Sequence, residues 1–165
     1  MLFVTPEDPL GEVATDLTAC FERELAERNV EQELRRVGSI SPDNTVAGRS
    51  VFLVAWFGGD AGGCCAVQPL EAHTAEIDRL YVVPNMRGRG IGLELLREIE
   101  RRSREFGYSR LLSRMGVRQP EALGLFKRCG YLQVVPTATN ATGSRCVCMA
   151  KSLTPDAEPP ASASA

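Results

Sequence analysis

The sequence predicts a mixed α/β fold of the α+β kind, and three observations predict it. Apolar segments of strand length recur along the chain between stretches of helical periodicity. A glycine-rich turn separates two of these strands, and a basic glycine-rich loop lies between another strand and a long amphipathic helix. At 165 residues we expect one domain, residues 1–153, followed by a disordered C-terminal tail, residues 154–165, rich in Pro, Ala and Ser.

The first part of the chain predicts a strand, a helix and a hairpin. Residues 2–4 predict a short strand, and residues 5–8 have the chemistry of a helix start: a capping hydroxyl, an early proline and acidic residues. Apolar residues then recur at helical spacing, at Leu10, Val13, Leu17, Cys20, Phe21 and Leu25. The next segments are a loop, a strand, a hairpin turn and a strand, at 39–49, 51–57, 58–63 and 64–70.

The fourth strand, which starts at Thr74, has an imperfect alternation. Simple alternation would place two acids, Glu76 and Asp78, on one face with core residues Leu80 and Val82. A bulge near residues 79–80 would repair the pattern. The later elements are a helix, a strand, a helix, a strand, a polar loop and a strand, at about 88–106, 110–117, 119–129, 131–135, 136–144 and 145–151.

The segment from Tyr81 to Gly92 is built to hold an anion. An apolar strand leads through a short turn into a basic glycine-rich loop, and a long helix follows. Glycines let the backbone approach a ligand closely, and the first N–H groups of a helix have no partner within it. The helix dipole adds about half a positive charge at that end. Arg87 and Arg89 add their own charges, so the loop predicts a phosphate site.

Glycine-rich loops that bind phosphate follow three known patterns, and this loop fits one of them. A P-loop requires Lys-Ser or Lys-Thr after the last glycine, but Ile91 follows Gly90. The dinucleotide fingerprint, counted from Gly88, requires a third glycine where Leu93 stands. The pattern R-x-x-G-x-G over residues 87–92 resembles the R/Q-x-x-G-x-G/A loop of the GCN5-related N-acetyltransferases, the GNAT superfamily.

Two flanking segments strengthen the resemblance. Residues 75–82, Ala-Glu-Ile-Asp-Arg-Leu-Tyr-Val, resemble the fourth strand of that family, and residues 120–131 resemble its second motif. The clear resemblance covers residues 74–131. It implies the GNAT fold, a central mixed and mostly antiparallel splayed sheet of six to seven strands flanked by about four helices. It also implies acetyl-CoA as the cosubstrate.

The resemblance assigns the cofactor-binding residues by position. The loop would hold the pyrophosphate of acetyl-CoA, and the splayed fourth strand would pair with the pantetheine arm and donate an N–H to the developing oxyanion. Gln119 stands where the family has asparagine, and Phe126 stands where it has a tyrosine. The implied cofactor-binding residues are Leu80, Tyr81, Val82, Arg87, Gly88, Arg89, Gly90, Ile91, Gly92, Gln119 and Phe126.

A base is needed because an amine is mostly protonated at neutral pH. Several members of the family use a glutamate on the fourth strand, directly or through water, so the resemblance points first to Glu76 and then to Asp78. Either carboxylate could instead pair with Arg79 or face solvent. His73, the single histidine, precedes the strand and is more often a loop residue than a base.

A general acid would protonate the leaving thiolate, and in the family this is usually the tyrosine at the position of Phe126. Phe126 has no proton to give, so the sequence departs from the family here. Tyr131 takes the place of the usual phenylalanine, so the acid is Cys129, Tyr131, a water or absent. A thiolate is already a good leaving group, and absence need not abolish activity. A covalent route through Cys64, Cys65 or Cys129 is less favoured, since no histidine lies nearby in sequence.

Composition excludes several classes of protein. The net charge of −2 gives no global basic field for nucleic acid or an acidic membrane. No run approaches the ~18 apolar residues of a membrane span, and nothing resembles a signal peptide. The spacing of the six cysteines matches no zinc pattern, so we expect no metal and a reducing, cytoplasmic location.

The sequence therefore predicts an acetyl-CoA-dependent N-acetyltransferase that acetylates a primary amine of a small molecule or peptide by direct attack in a ternary complex. The alternative is a catalytically inactive acyl-CoA-binding sensor or interaction module, which Phe126 supports. A nucleic-acid partner is disfavoured, since no aromatic residues interleave the Arg-Gly-Arg-Gly segment. The acceptor would contact loops 29–50 and 136–144, which have no diagnostic pattern, and a homodimer is left open.

Overall fold

The computed structural model describes residues 1–28, 48–135 and 146–154. Its elements are β1 (Leu2–Glu7), α1 (Glu12–Glu27), β2 (Val51–Phe57), β3 (Asp60–Pro69), β4 (Thr74–Val82), a 3-10 turn (Pro84–Met86), α2 (Ile91–Glu105), β5 (Arg110–Gly116), α3 (Pro120–Arg128), β6 (Leu132–Val134) and β7 (Cys146–Ser152). The loop expected at 136–144, the tail after residue 154 and the loop expected at 39–49, apart from its last two residues, lie outside the described residues.

The seven strands form one sheet in the order β1-β2-β3-β4-β5-β7-β6. Among the strands of the described residues, β4 and β5 run parallel and the other neighbours are antiparallel. The predicted mixed, mostly antiparallel sheet of six to seven strands is confirmed. Three α-helices fall in the described ranges, against about four expected.

The sheet separates two hydrophobic layers, because successive residues of a strand point to opposite faces. Leu53 of β2 joins Leu95 and Ile99 of α2 in the larger layer, whereas its neighbour Val54 joins Phe21 of α1 in the other. All five side chains are at least nine-tenths buried. Helix α2 therefore covers one face of the sheet and α1 covers the other.

The predicted start of the first helix is wrong. Residues 5–7 belong to β1, and α1 begins at Glu12 after Gly11. Pro6 is tolerated there because β1 is an edge strand, which pairs only with β2. No side chain caps α1; the Asp8 carboxylate accepts from the Leu10 N–H in the turn before it, at 2.9 Å. Leu10 is consequently exposed rather than on the helix.

The predicted bulge in β4 is confirmed. Cys64 pairs with Tyr81 and Ala66 with Asp78, so two residues of β4 face one residue of β3. Arg79 lies at the bulge with φ of +57°, a left-handed conformation that is uncommon outside glycine. The extra residue changes the alternation. Tyr81 packs in the α1 layer, while Leu80 and Val82 pack in the α2 layer.

Candidate active site

The parallel strands β4 and β5 separate part of the way along their length. Their pairing ends at Ile77 and Ser113, and the Ser113 hydroxyl donates to the Ile77 carbonyl oxygen at 3.1 Å. Strand β4 continues to Val82 and β5 to Gly116 without further pairs between them in the described residues. We call this opening, lined by residues 78–82 and 114–116, the fork.

Backbone groups of β4 point into the fork. The Val83 N–H donates to Gly62 of β3 at 2.9 Å, and a Cβ at Gly63 would run into the Tyr81 carbonyl oxygen. Tyr81 and Val83 thus direct their polar groups toward β3, and by alternation Leu80 and Val82 direct theirs toward the fork. Of these groups, the Val82 carbonyl oxygen accepts from Arg87 Nε at 3.0 Å. An extended ligand in the fork could pair with the others as an added strand.

The glycine-rich loop, residues 87–92, follows the end of β4 and opens α2. Gly88 and Gly90 have φ of +78° and +81°, and Gly90 is the residue that caps the helix. No side chain caps this end, so the first backbone N–H groups of α2 face outward. A Cβ at either glycine would meet no atom within 4 Å. This geometry suits a phosphate held by backbone donors and the helix dipole.

The two arginines of the loop point to opposite sides. Arg87 extends toward α1, where its Nη2 lies 2.6 Å from an oxygen of Glu24, and its Nε donates to the Val82 carbonyl oxygen at 3.0 Å. Arg89 lies over the ring of Phe57 at the end of β2, 5.2 Å from the ring centre. Arg87 therefore contacts α1 and β4, while Arg89 contacts β2.

Helix α3 packs closely against the start of α2. A Cβ at Gly92 would lie 2.7 Å from a terminal methyl carbon of Leu125, so a larger residue here would require the end of that side chain to shift. Gln119 precedes α3 and accepts the Gly116 N–H at 2.9 Å through its side chain, which closes the turn after β5. The amide is buried in that turn. The cofactor contact expected of Gln119 stays a prediction.

Glu76 pairs with a residue that the sequence argument missed. Arg114 of β5 donates through Nε and Nη2 to its two oxygens, at 2.8 and 2.7 Å. Their side chains are only 9% and 8% exposed, so this is a buried ion pair beside the vertex of the fork. Sequence reasoning offered only Arg79 as a partner, because the register between β4 and β5 is not visible in the chain.

Asp78 follows on the same strand and is less enclosed. One oxygen accepts the Arg79 N–H at 2.7 Å, and the other lies 3.6 Å from Arg79 Nε. A third of the side chain is exposed. Burial raises the pKa of Asp78, and the adjacent Arg79 charge offsets this in part. The pairing with Arg79 considered from the sequence is thus present, at Asp78.

Phe126, at the position of the family's tyrosine, and Tyr131, one of the residues considered as the acid, are both buried. Phe126 is 1% exposed, and its ring meets the ring of Tyr131 edge-on at 4.8 Å. The Tyr131 hydroxyl donates to Glu100 of α2 at 3.0 Å, and Lys151 donates to the same carboxylate. Burial raises the pKa of Tyr131 far above its ordinary value. The cofactor contact expected of Phe126 stays a prediction.

The remaining nucleophile candidates are unsuited to ionisation. Cys64 and Cys65 lie in the core, where burial raises the pKa of Cys64 to about 12 and that of Cys65 well above its usual value. Burial also raises the pKa of Cys129. A thiolate is the reactive form, so none of these three residues favours a covalent route. His73 is exposed in the loop before β4, as expected.

Neither a metal centre nor a membrane-spanning helix is present in the parts of the chain that the structure describes. No group of three or more His, Cys, Asp and Glu side chains is arranged to hold a metal ion there. Within the same residues, none of the helices has the length and apolar character required to cross a membrane.

The fork and the loop are the features of an acyl-CoA-dependent acyltransferase, and comparison with known proteins identifies the class. The profile of the "Acetyltransferase (GNAT) family" matches residues 12–131. Because this match covers most of the chain, the protein belongs to the GNAT acetyltransferase family. The resemblance inferred from the loop, the fourth strand and the second motif is confirmed.

Individual relatives agree with this assignment. The chain is 38% identical over 81 residues to the IAA acetyltransferase of Azospirillum brasilense, a match of 48% of this chain and 53% of that protein. It is 31% identical over 88 residues to "Probable N-acetyltransferase 14" of Xenopus tropicalis, covering 53% of this chain and 43% of the relative. The chain thus spans about half the length of the curated relatives it matches.

Solved structures extend the likeness to nearly the whole chain. A Klebsiella pneumoniae protein assigned as an acyl-CoA N-acyltransferase is 25% identical, with a TM-score of 0.77 over 93% of this chain and 98% of that one. A GNAT family acetyltransferase of Elizabethkingia anophelis with acetyl-CoA bound is 16% identical, with a TM-score of 0.64 over 92% of this chain and 97% of that one. The second comparison supports the fold.

Proposed function

We propose that this protein is an acetyl-CoA-dependent N-acetyltransferase that acetylates a primary amine of a small molecule or peptide. The observation that supports this most is the continuity of the fork with the glycine-rich loop. Backbone groups of Leu80 and Val82 line one side of the fork, and the N–H groups at the start of α2 follow a few residues later. A thioester arm in the fork would bring its pyrophosphate to the loop.

The reaction proceeds by direct attack in a ternary complex. The amine nitrogen attacks the thioester carbonyl carbon, so a C–N bond forms as the C–S bond breaks and the sulfur leaves as a thiolate. A backbone N–H of β4 in the fork, near Leu80–Val82, stabilises the oxyanion. A carboxylate takes the proton of the amine, directly or through water.

Of the two candidate bases, the geometry favours Asp78. The two oxygens of Glu76 already accept from Arg114, which suits a residue that holds β4 to β5. Asp78 is partly exposed beside the fork, and burial raises its pKa, which brings a carboxylate closer to the range of an effective base. Glu76 is the second candidate for the base.

A second candidate function is a catalytically inactive acyl-CoA-binding module. Phe126 favours it, because the side chain at this position has no hydroxyl and is buried against Tyr131. In a working enzyme the thiolate would leave without a proton from this residue. We further propose a cytoplasmic location, which the six cysteines, all thiols, support.

The experiment is acetyl transfer to a panel of amines, read as the CoA thiol released and as acetylated product. The panel holds polyamines, aminoglycosides, amino acids, lysine side chains and peptide N-termini. Thiol release that requires both an amine and Asp78, lost in Asp78→Asn, is the result expected. Tight binding of acetyl-CoA with no release on any amine would favour the inactive module, and no binding would contradict both functions.

A further inference from the structure

Arg87 makes two directional contacts, one with α1 and one with β4. Its Nη2 lies 2.6 Å from Glu24 Oε1 on α1, and its Nε donates to the Val82 carbonyl oxygen at 3.0 Å. The two side chains are 30% and 22% exposed, so the pair is partly shielded from solvent. The guanidinium also lies 5.9 Å from the centre of the Tyr81 ring. These contacts tie the first residue of the loop to α1 and to β4.

Glu24 is itself held by a second arginine. Arg28 Nη2 lies 3.4 Å from the same Glu24 oxygen, and Arg28 makes a two-point contact with Glu121 of α3, at 2.7 and 2.9 Å. Arg28 also donates to the Arg118 carbonyl oxygen at 3.2 Å. Alternating charges therefore run from the loop through the end of α1 to the start of α3. We call Arg87, Glu24, Arg28 and Glu121 the charge chain.

Arg28 and Glu121, within the charge chain, stabilise each other's charged forms. The hydrogen bond from Arg28 lowers the pKa of Glu121, and the pKa of Arg28 is raised chiefly by the same bond. Two-point arginine–carboxylate contacts fix geometry as well as charge. Glu24 is thus presented to Arg87 by a partner that is anchored on another helix.

We propose that Arg87 is a positioning residue that pins the glycine-rich loop to α1 through Glu24, and that it does not act as a direct ligand of the pyrophosphate. This inference rests on the proposed function, since it concerns how the CoA loop is held. With Arg87 engaged by Glu24 and Val82, the loop presents its backbone N–H groups in a fixed arrangement. Binding of CoA then requires little ordering of the loop.

The alternative is that Arg87 swings from Glu24 to the phosphates when CoA binds. The two schemes make opposite predictions for Glu24, which lies on another element and has the wrong charge to bind phosphate. If Arg87 is a phosphate ligand, loss of the Glu24 charge releases it and leaves affinity unchanged or higher. If Arg87 positions the loop, loss of Glu24 weakens CoA binding as loss of Arg87 does.

The experiment measures coenzyme A binding by calorimetry for the full chain and for Glu24→Gln, Arg87→Met and the double variant. Positioning predicts that each single variant weakens binding by about five- to tenfold and that the double variant is no weaker than either single one. Glu27→Gln is the matched control, because Glu27 is exposed and lies three residues after Glu24 on the same helix. This variant should bind coenzyme A as wild type does. Unfolding midpoints are measured in parallel to show that each variant is folded.

Arg87→Lys separates the schemes without changing α1. It keeps the positive charge but cannot reproduce the two-point contact with Glu24 and Val82. Positioning predicts a loss close to that of Arg87→Met, whereas a phosphate ligand would keep most of its affinity as lysine.

Three outcomes would overturn the inference. The first is that Glu24→Gln binds coenzyme A as tightly as wild type. The second is that the losses of binding free energy in the two single variants add in the double variant. The third is that Arg87→Lys keeps wild-type affinity. Failure of the wild-type protein to bind coenzyme A would instead contradict the proposed function, and the inference with it.

Discussion

Glu76 of β4 and Arg114 of β5 form an ion pair across the vertex of the fork, with contacts of 2.8 and 2.7 Å. Glu76 lies one residue before the last paired position of its strand, and Arg114 lies one residue after the last paired position of β5. Few side-chain atoms of either reach solvent. The pair joins the two strands where their backbones stop pairing, so Glu76 is part of the architecture that opens the fork.

Glu76→Gln should destabilise the fold. Glutamine keeps the shape of the side chain but removes the charge that Arg114 contacts at two points, and breaking a buried pair in this way costs about 3–5 kcal/mol. Denaturant unfolding measures this change. Glu105→Gln, in a surface pair of α2, is the control and should change stability by less than about 0.5 kcal/mol. Equal unfolding midpoints for the two variants would show that the Glu76–Arg114 pair does not hold the fork.

Asp78→Asn should lower turnover by about 10²-fold or more, with little change in acetyl-CoA affinity, if Asp78 is the base. The base must be ionised, and burial raises the pKa of Asp78, so the wild-type rate should rise with pH through a midpoint above the usual range for aspartate. That acidic limb should disappear in the variant. The measurement is kcat/KM against pH for wild type, Asp78→Asn, Glu76→Gln and the double variant. Near-normal rates throughout would exclude both carboxylates.

The same substitution should stabilise the protein at neutral pH. The folded-state pKa of Asp78 is raised, so the folded state binds the proton more tightly than the unfolded state does. The contribution of the Asp78 carboxyl to folding stability is therefore fully present below its unfolded-state pKa, and it is lost as pH rises through its folded-state pKa. Asparagine, which is always neutral, can still accept the Arg79 N–H. Unfolding curves at pH 7 should therefore show a higher midpoint for Asp78→Asn, and a lower midpoint would contradict the raised pKa.

Phe126→Tyr should change the rate little but lower stability. The ring is 1% exposed and packs edge-on against Tyr131, so an added hydroxyl must find room and a partner inside the core. The expected cost is about 1–3 kcal/mol. Phe3→Tyr, at an exposed position, is the control. A large gain in rate would instead show that the hydroxyl reaches the sulfur and that the wild-type chain is a decayed enzyme.

Local pattern was enough to predict most of the fold. The glycine-rich loop, the helix that follows it and the bulge near Arg79 were all predicted, because each depends on residues that are neighbours in the chain. The start of α1 was not, because the sequence of Pro6 and its acidic neighbours suits a helix start as well as an edge strand. Pairing with β2 decided between them.

The candidate site was less accessible to prediction, since its contacts join distant elements. The Glu76–Arg114 pair depends on the register of two parallel strands, which no local pattern specifies. The contact between Arg87 and Glu24 depends on how α1 lies across the sheet. Positional resemblance identified which residues stand at the loop and the fourth strand. It did not identify what their side chains touch.

The most direct measurement is calorimetry of acetyl-CoA binding to wild type, Gly90→Asp and Gly90→Asn. Gly90 has φ of +81°, and Asn and Asp are the side chains that tolerate this region best, so the two variants share any backbone strain. They differ in one negative charge beside the start of α2. We expect Gly90→Asn to keep measurable affinity and Gly90→Asp to bind at least about tenfold more weakly than Gly90→Asn. Equal affinities in two folded variants would show that the pyrophosphate does not lie against this helix start.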